Sequence, residues 1–183
     1  KYLLSKKNEV KKTLLEMTMY FHGAISRMAR MSAPVIIGVN GTAGGGGFSL
    51  AITGDIIYAV KNAKFTLAYT NAGLSPDGSS TYFLPRIVGA KRAKELMLTN
   101  RIFSAEEALS MGLIDKVVEE KNLEEELHKQ AEIFSKGARE AFKSVKKMLS
   151  VSFENGLETQ MDLEGHEIAE NAQSEDGKEG MIA

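Results

Sequence analysis

Four consecutive glycines, Gly44-Gly45-Gly46-Gly47, are the most chemically suggestive residues in the chain. Glycine admits backbone conformations and close approaches that a side chain would block, so such a run lets another molecule come close to the main chain. Two phosphate-binding motifs fail on spacing. A P-loop closes on Gly-Lys-Ser/Thr, whereas Gly47 is followed by Phe48-Ser49; a dinucleotide fingerprint counted from Gly45 through Gly47 needs glycine where Leu50 stands. Three readings remain: amides at a helix N-terminus that bind an anionic or polarised oxygen, tight strand-to-helix packing, or a flexible loop.

Other reactive side chains have simpler local explanations. Asp77 lies in Ser75-Pro76-Asp77-Gly78, which by composition is a turn. His22, His128 and His166 lack ligand spacing such as H-E-x-x-H, so they are expected as solvated helix positions with no metal implied. Ser104 followed by Glu107 is a capping box, which makes Ser104 a helix cap rather than a nucleophile. Cysteine is absent, which removes thiolate catalysis, disulfides and Cys-ligated metal sites.

Alternating strands and helices must position these groups. Val10, Leu14, Met17, Phe21, Ala24, Ile25 and Met28 recur at steps of three and four, predicting a helix over about 8–31. Pro34 disfavours helical geometry at Ala33, and the β-branched run at 35–39 reads as a buried strand. After the glycines, 48–52 forms one or two helical turns, and 56–60 and 64–68 read as strands. Turn chemistry fills 71–80, a helix runs from near Ser79 toward Val88 with Pro85 bending or dividing it, and a second helix covers 90–98. A short helix follows Ser104 and ends at Met111 with Gly112 beyond it, 113–118 reads as a strand, and from Asn122 the chain is helical with interruptions at Asn155-Gly156 and Gly165. Met28, Met31 and Met97 are expected in the core or lining a pocket. The pattern is α/β, with a core over 1–118 and a helical region over 119–183.

Composition bounds the function. With 183 residues, 43% hydrophobic and 26% charged, the chain can bury a core and is not disordered as a whole. Lys plus Arg number 23 against 24 Asp plus Glu; a net charge of −1 gives no field to attract nucleic acid. No apolar run reaches the length of a membrane span, and Lys1 to Lys12 is too basic and polar for a secretory signal, so no membrane association and a cytoplasmic location are expected, with an organelle left open.

Several ordered motifs resemble the crotonase (enoyl-CoA hydratase/isomerase) superfamily across essentially the whole chain. They are Val39 through Ala51 around the glycines, Asp55-Ile56-Ile57-Tyr58-Ala59, Ala63-Lys64-Phe65, Gly73-Leu74-Ser75-Pro76-Asp77-Gly78, Leu84-Pro85-Arg86-Ile87-Val88-Gly89, and Ala105 through Ile114. The resemblance implies a spiral of ββα turns, its opening turns preceding this chain, and a C-terminal helical region that builds homotrimers or hexamers. It implies an acyl-CoA substrate and no separate cofactor, coenzyme A being part of the substrate. By position Gly46 matches one N–H of the family's oxyanion hole, with Gly45 beside it, while the second donor falls before the long first helix. The basic run Lys6, Lys7, Lys11 and Lys12 could meet the CoA phosphates, but a solvated helix face is the preferred reading.

The same resemblance separates this chain from the hydratases. Their two glutamates correspond to Ser49 and Tyr69, neither of which is a comparable base near neutral pH. Asp77 matches an aspartate that some members use as base or nucleophile. The surrounding pattern looks most like enoyl-CoA isomerases of the phenylacetate-degradation type, in which such a group moves a proton between carbons. Tyr82 is expected to line the acyl pocket with Ser49 and Tyr69. The alternatives are a 4-chlorobenzoyl-CoA dehalogenase-like enzyme, another family lyase or hydratase, or a non-catalytic acyl-CoA binder; the dehalogenase uses a tryptophan where Tyr69 stands, and this chain has no Trp.

Overall fold

The stripe of apolar residues that begins the chain does form a helix. In the computed structural model, which describes Ser5 and residues 9–182, α1 spans Val10–Arg30, with Arg27 and Arg30 in its last turn opposing the negative end of the helix dipole. Along its length only Ile25 is buried, and Met31 just beyond it is exposed, which corrects the expectation of a core methionine there. Lys11 and Lys12 are exposed, while Lys6 and Lys7 lie outside the described residues.

Among the described residues, two small sheets follow. The first is all parallel in the order β1 (Ile36–Val39), β3 (Ile56–Val60), β6 (Lys116–Val118), with Ile36 opposite Ile56 and Tyr58 opposite Lys116. The second joins β2 (Thr42–Gly44) in parallel to β4 (Lys64–Thr66), and β4 antiparallel to β5 (Phe103–Ser104). Parallel strands need crossovers. The glycine run and α2 (Gly46–Ala51) supply one, and α2 carries the fully buried Phe48 into a cluster with Phe65 and Phe103, whose rings stack at 5.6 Å.

The short strands β2 and β5 were not expected, because three- and two-residue strands are too brief to show an alternating pattern. The expected strand over 113–118 is shortened to β6 for a local reason. Asp115 donates its N–H to Ile57 O at 2.8 Å and accepts the Ile57 N–H on its carboxylate at 2.7 Å, so its side chain replaces a ladder partner. Leu113 and Ile114 are buried in the approach to the strand.

The helices α3 (Ser80–Val88) and α4 (Ala90–Thr99) are separated by Gly89 at φ +79°, and Pro85 lies inside α3 without dividing it. Ser104 caps α5 (Ala105–Ser110) by accepting the Glu107 N–H at 3.2 Å. Then come α6 (Leu123–Ser135), α7 (Arg139–Val151), α8 (Leu157–Gln173) and α9 (Glu175–Ile182), with Gly165 inside α8 rather than interrupting it. Leu123 and Leu127 of α6 pack over Gly38, where a β-carbon would stand 2.5 Å from Leu127 Cδ1. From α7 the largely buried Lys146 ties the end of α1 to the sheet, donating to Met28 O, Ala33 O and Asp55 Oδ2 at 3.4, 3.3 and 2.5 Å.

Candidate active site

The glycine turn is held by a conformation that only glycine adopts easily. Gly45 has φ +54° and ψ −125°, donates its N–H to Thr66 O at 3.2 Å, and offers its carbonyl to Ser49 N–H at 3.0 Å. This turns the chain directly into α2. The N–H groups of Gly46 and Gly47 therefore stand in the first helical turn, where no intrahelical acceptor exists. The Phe21 ring of α1 closes one side, 3.6 Å from the position of a β-carbon on Gly46.

Tyr69 approaches from β4. The backbone turns sharply at Ala68, φ +57°, and Thr70 Oγ1 anchors the following turn by donating to Met97 O at 3.1 Å. The Tyr69 ring then lies beside the glycine turn, its Cζ 3.9 Å from a β-carbon placed on Gly45.

Asp77 completes the arrangement. Gly78 and Ser79 both have positive φ, +62° and +67°, and this double turn presents the carboxylate just before α3. The Asp77 carbonyl accepts from Ser49 Oγ at 2.8 Å, Ser80 Oγ at 2.9 Å and Ser80 N–H at 3.3 Å. Its carboxylate accepts the Tyr69 hydroxyl on Oδ1 at 2.5 Å. Ser49 and Tyr69 also lie 3.2 Å apart, yet each has one hydroxyl hydrogen, spent on the backbone and the carboxylate of Asp77 respectively. Ser49 and Tyr69 thus both hold Asp77.

Gly78 sits where the helix, the glycine turn and the aspartate meet. A β-carbon on it would lie 2.5 Å from the Phe21 ring and 2.8 Å from Ser49 Cβ, in addition to the strain of positive φ. Gly78→Ala is expected to destabilise the fold by about 2–4 kcal/mol, combining overpacking with left-handed strain. Urea unfolding measures it, and a change under about 0.5 kcal/mol, the size of an ordinary surface substitution, would contradict this packing.

Burial, and then the hydrogen bond to the Asp77 carboxylate, push the Tyr69 phenol up from 10.0 to about 12. Because the folded value lies above the unfolded one, the unfolded chain releases this proton first as pH rises. Its contribution to stability is full below about pH 10 and is lost between there and about pH 12. Comparison with Tyr69→Phe should show a stability loss over that interval that the variant lacks; parallel curves would contradict it. At neutral pH Tyr69 is a hydrogen-bond donor, not a base.

His22 was expected as a solvated helix position; it does lie exposed on α1, and it also contacts the site. Its side chain is half-exposed, but Nε2 accepts the Gly78 N–H at 3.1 Å and lies 3.6 Å from Asp77 Oδ2. No local pattern in α1 marks this contact, which spans 56 positions of the chain. By contrast Tyr82 points elsewhere: its hydroxyl donates to Ser150 O at 3.2 Å in α7, and the Arg86 guanidinium lies 3.5 Å over its ring. No group of three or more His, Cys, Asp or Glu is placed to hold a metal among the described residues. No described helix is long and apolar enough to cross a membrane.

A glycine turn presenting free amides, with a clamped aspartate nearby, can polarise a carbonyl and move a proton next to it. The sequence matches the family described as Enoyl-CoA hydratase/isomerase over residues 6–183. The chain belongs to the enoyl-CoA hydratase/isomerase family. It is 35% identical over 164 residues to a 1,2-epoxyphenylacetyl-CoA isomerase from Escherichia coli, covering 90% of this chain and 63% of that protein. It is 39% identical over 150 residues to a probable enoyl-CoA hydratase from Rhodobacter capsulatus, covering 82% and 58%. The crystal structure of an enoyl-CoA hydratase from Polaromonas sp. JS666 superposes with a TM-score of 0.94 at 30% identity, over 100% of this chain and 71% of that one. The chain thus spans less than two thirds of the length of these two curated relatives. Fold and membership agree with the α/β spiral that the motifs implied.

Proposed function

We propose that this family member is an enoyl-CoA isomerase, shifting a double bond in an acyl-CoA thioester with Asp77 as the base. The observation that carries the reading is the clamped Asp77: Tyr69 binds one carboxylate oxygen and Ser49 binds the backbone carbonyl. Hydration by the family's two-glutamate route would need carboxylates at those two positions. Relatives named as isomerase and as hydratase both occur, so the choice rests on these side chains.

Asp77 Oδ2 takes a proton from the carbon between the thioester and the double bond of a 3-enoyl-CoA. The electron pair moves onto the thioester oxygen, and the Gly46 N–H holds the resulting dienolate; such a donor is worth about 3 kcal/mol of barrier. The carboxylic acid then returns the proton to the far carbon, giving the conjugated 2-enoyl thioester. One base suffices because the proton leaves and returns on the same face. Gly45 shapes the oxyanion turn, and Ser49 and Tyr69 fix the base. No cofactor beyond the coenzyme A of the substrate enters this scheme.

Assembly into a trimer or hexamer is part of the reading, supported by Leu149, Phe153, Leu157, Met161 and Ile168, which α7, α8 and their connection leave exposed. To test the function, the intact protein is given a 3-enoyl-CoA, and separately crotonyl-CoA in water. Conjugation of the first without hydration of the second supports isomerase. Hydration as fast as conjugation would reject it.

A further inference from the structure

His22 Nε2 has two neighbours that make opposite demands on it. Accepting the Gly78 N–H at 3.1 Å requires a lone pair on Nε2, hence a neutral ring with its proton on Nδ1. An ion pair with Asp77 Oδ2, 3.6 Å away, requires a proton on the same nitrogen. One atom cannot do both. In the first state the Gly78 amide is fixed and, among the described residues, no hydrogen-bond donor reaches Oδ2, while Oδ1 stays bound to Tyr69. In the second, the Gly78 amide loses its acceptor and Oδ2 gains a donor.

We propose that His22 is a positioning residue for Asp77: the neutral ring pins the Gly78 amide and thereby leaves the Oδ2 edge of the carboxylate free to act as a base. The inference rests on the reading of Asp77 as the catalytic base. Asp77 faces the ring from the turn before α3, with the Tyr69 phenol behind it on the opposite side of the carboxylate; the neighbour on the ring's own helix is the apolar Phe21, centroids 6.2 Å apart. Protonating His22 removes both features that make Asp77 competent. Isomerisation is therefore expected to fall when the His22 ring takes up a second proton.

The test compares His22→Gln with His22→Phe in the intact protein, measuring kcat and KM for a 3-enoyl-CoA against pH. Glutamine supplies a neutral acceptor for the Gly78 N–H, and phenylalanine fills the space without one. His22→Gln is expected to keep kcat within about threefold and to lose whatever part of the pH dependence His22 protonation causes; His22→Phe is expected to lower kcat by about tenfold or more with KM little changed. If glutamine is as damaging as phenylalanine, or if both variants match the parent, the positioning role is overturned. Nitrogen NMR of the His22 ring reads the same claim without turnover: the Nδ1–H tautomer near neutral pH supports it, and the Nε2–H tautomer overturns it. Should the intact protein show no isomerase activity, the reading of Asp77 fails, and the tautomer alone decides whether His22 pins Gly78.

Discussion

Asp77→Asn is expected to lower isomerase turnover by about a hundred- to ten-thousand-fold, the range for losing a general base, while leaving the thermal midpoint nearly unchanged. The separation of the two effects follows from how Asp77 is held. Its carbonyl, which takes the bonds from Ser49 and Ser80, is untouched by the substitution, and the amide oxygen of asparagine can still accept the Tyr69 hydroxyl. What disappears is the basic Oδ2, replaced by an NH₂ group facing His22. Steady-state kinetics alongside thermal unfolding check this. Unchanged turnover would remove Asp77 from the mechanism, and loss of fold together with activity would make it a structural residue.

The second large effect is expected at Gly46. As the first residue of α2 it has no intrahelical hydrogen bond to lose, and proline is well tolerated at that position of a helix. Gly46→Pro therefore removes one N–H from the glycine turn while keeping the helix start. If that N–H holds the thioester oxygen, kcat should fall by about a hundred- to a thousand-fold. Gly46→Ala is the control. Its β-carbon would meet Phe21 at 3.6 Å, an ordinary contact, and the N–H remains, so activity should stay close to that of the parent. Equal losses in both variants would mean that space at the turn, not the amide, is what matters.

The two groups on which these predictions rest are legible in the amino-acid sequence, for local reasons. Four adjacent glycines between an apolar strand and a helix permit a tight turn and a close approach that side chains would block, and Pro76-Asp77-Gly78 writes a turn in adjacent residues. The long α1 is legible because its apolar positions repeat at helical spacing. The parts that stay hidden are non-local. His22 meets Gly78 across 56 positions and Ser49 meets Asp77 across 28, and no pattern within either segment encodes those distances. Ser49 and Tyr69 are matched to the hydratase glutamates only through the family resemblance, and their clamp on Asp77 depends on the hydroxyls converging in space. The strands β2 and β5 escape because their pairing with β4, rather than any propensity of their own, defines them.

If Asp77 is the base, it is the carboxylate that reaches the substrate carbons between which the proton moves. A crystal structure of the intact protein with a non-reactive 3-enoyl-CoA analogue measures this directly. Asp77 Oδ2 is expected within about 3 to 4 Å of both the α and the γ carbon, with the thioester oxygen on the Gly46 N–H. An acyl chain lying beyond about 6 Å from Asp77, too far for direct proton transfer, with another carboxylate against its α carbon, would contradict it.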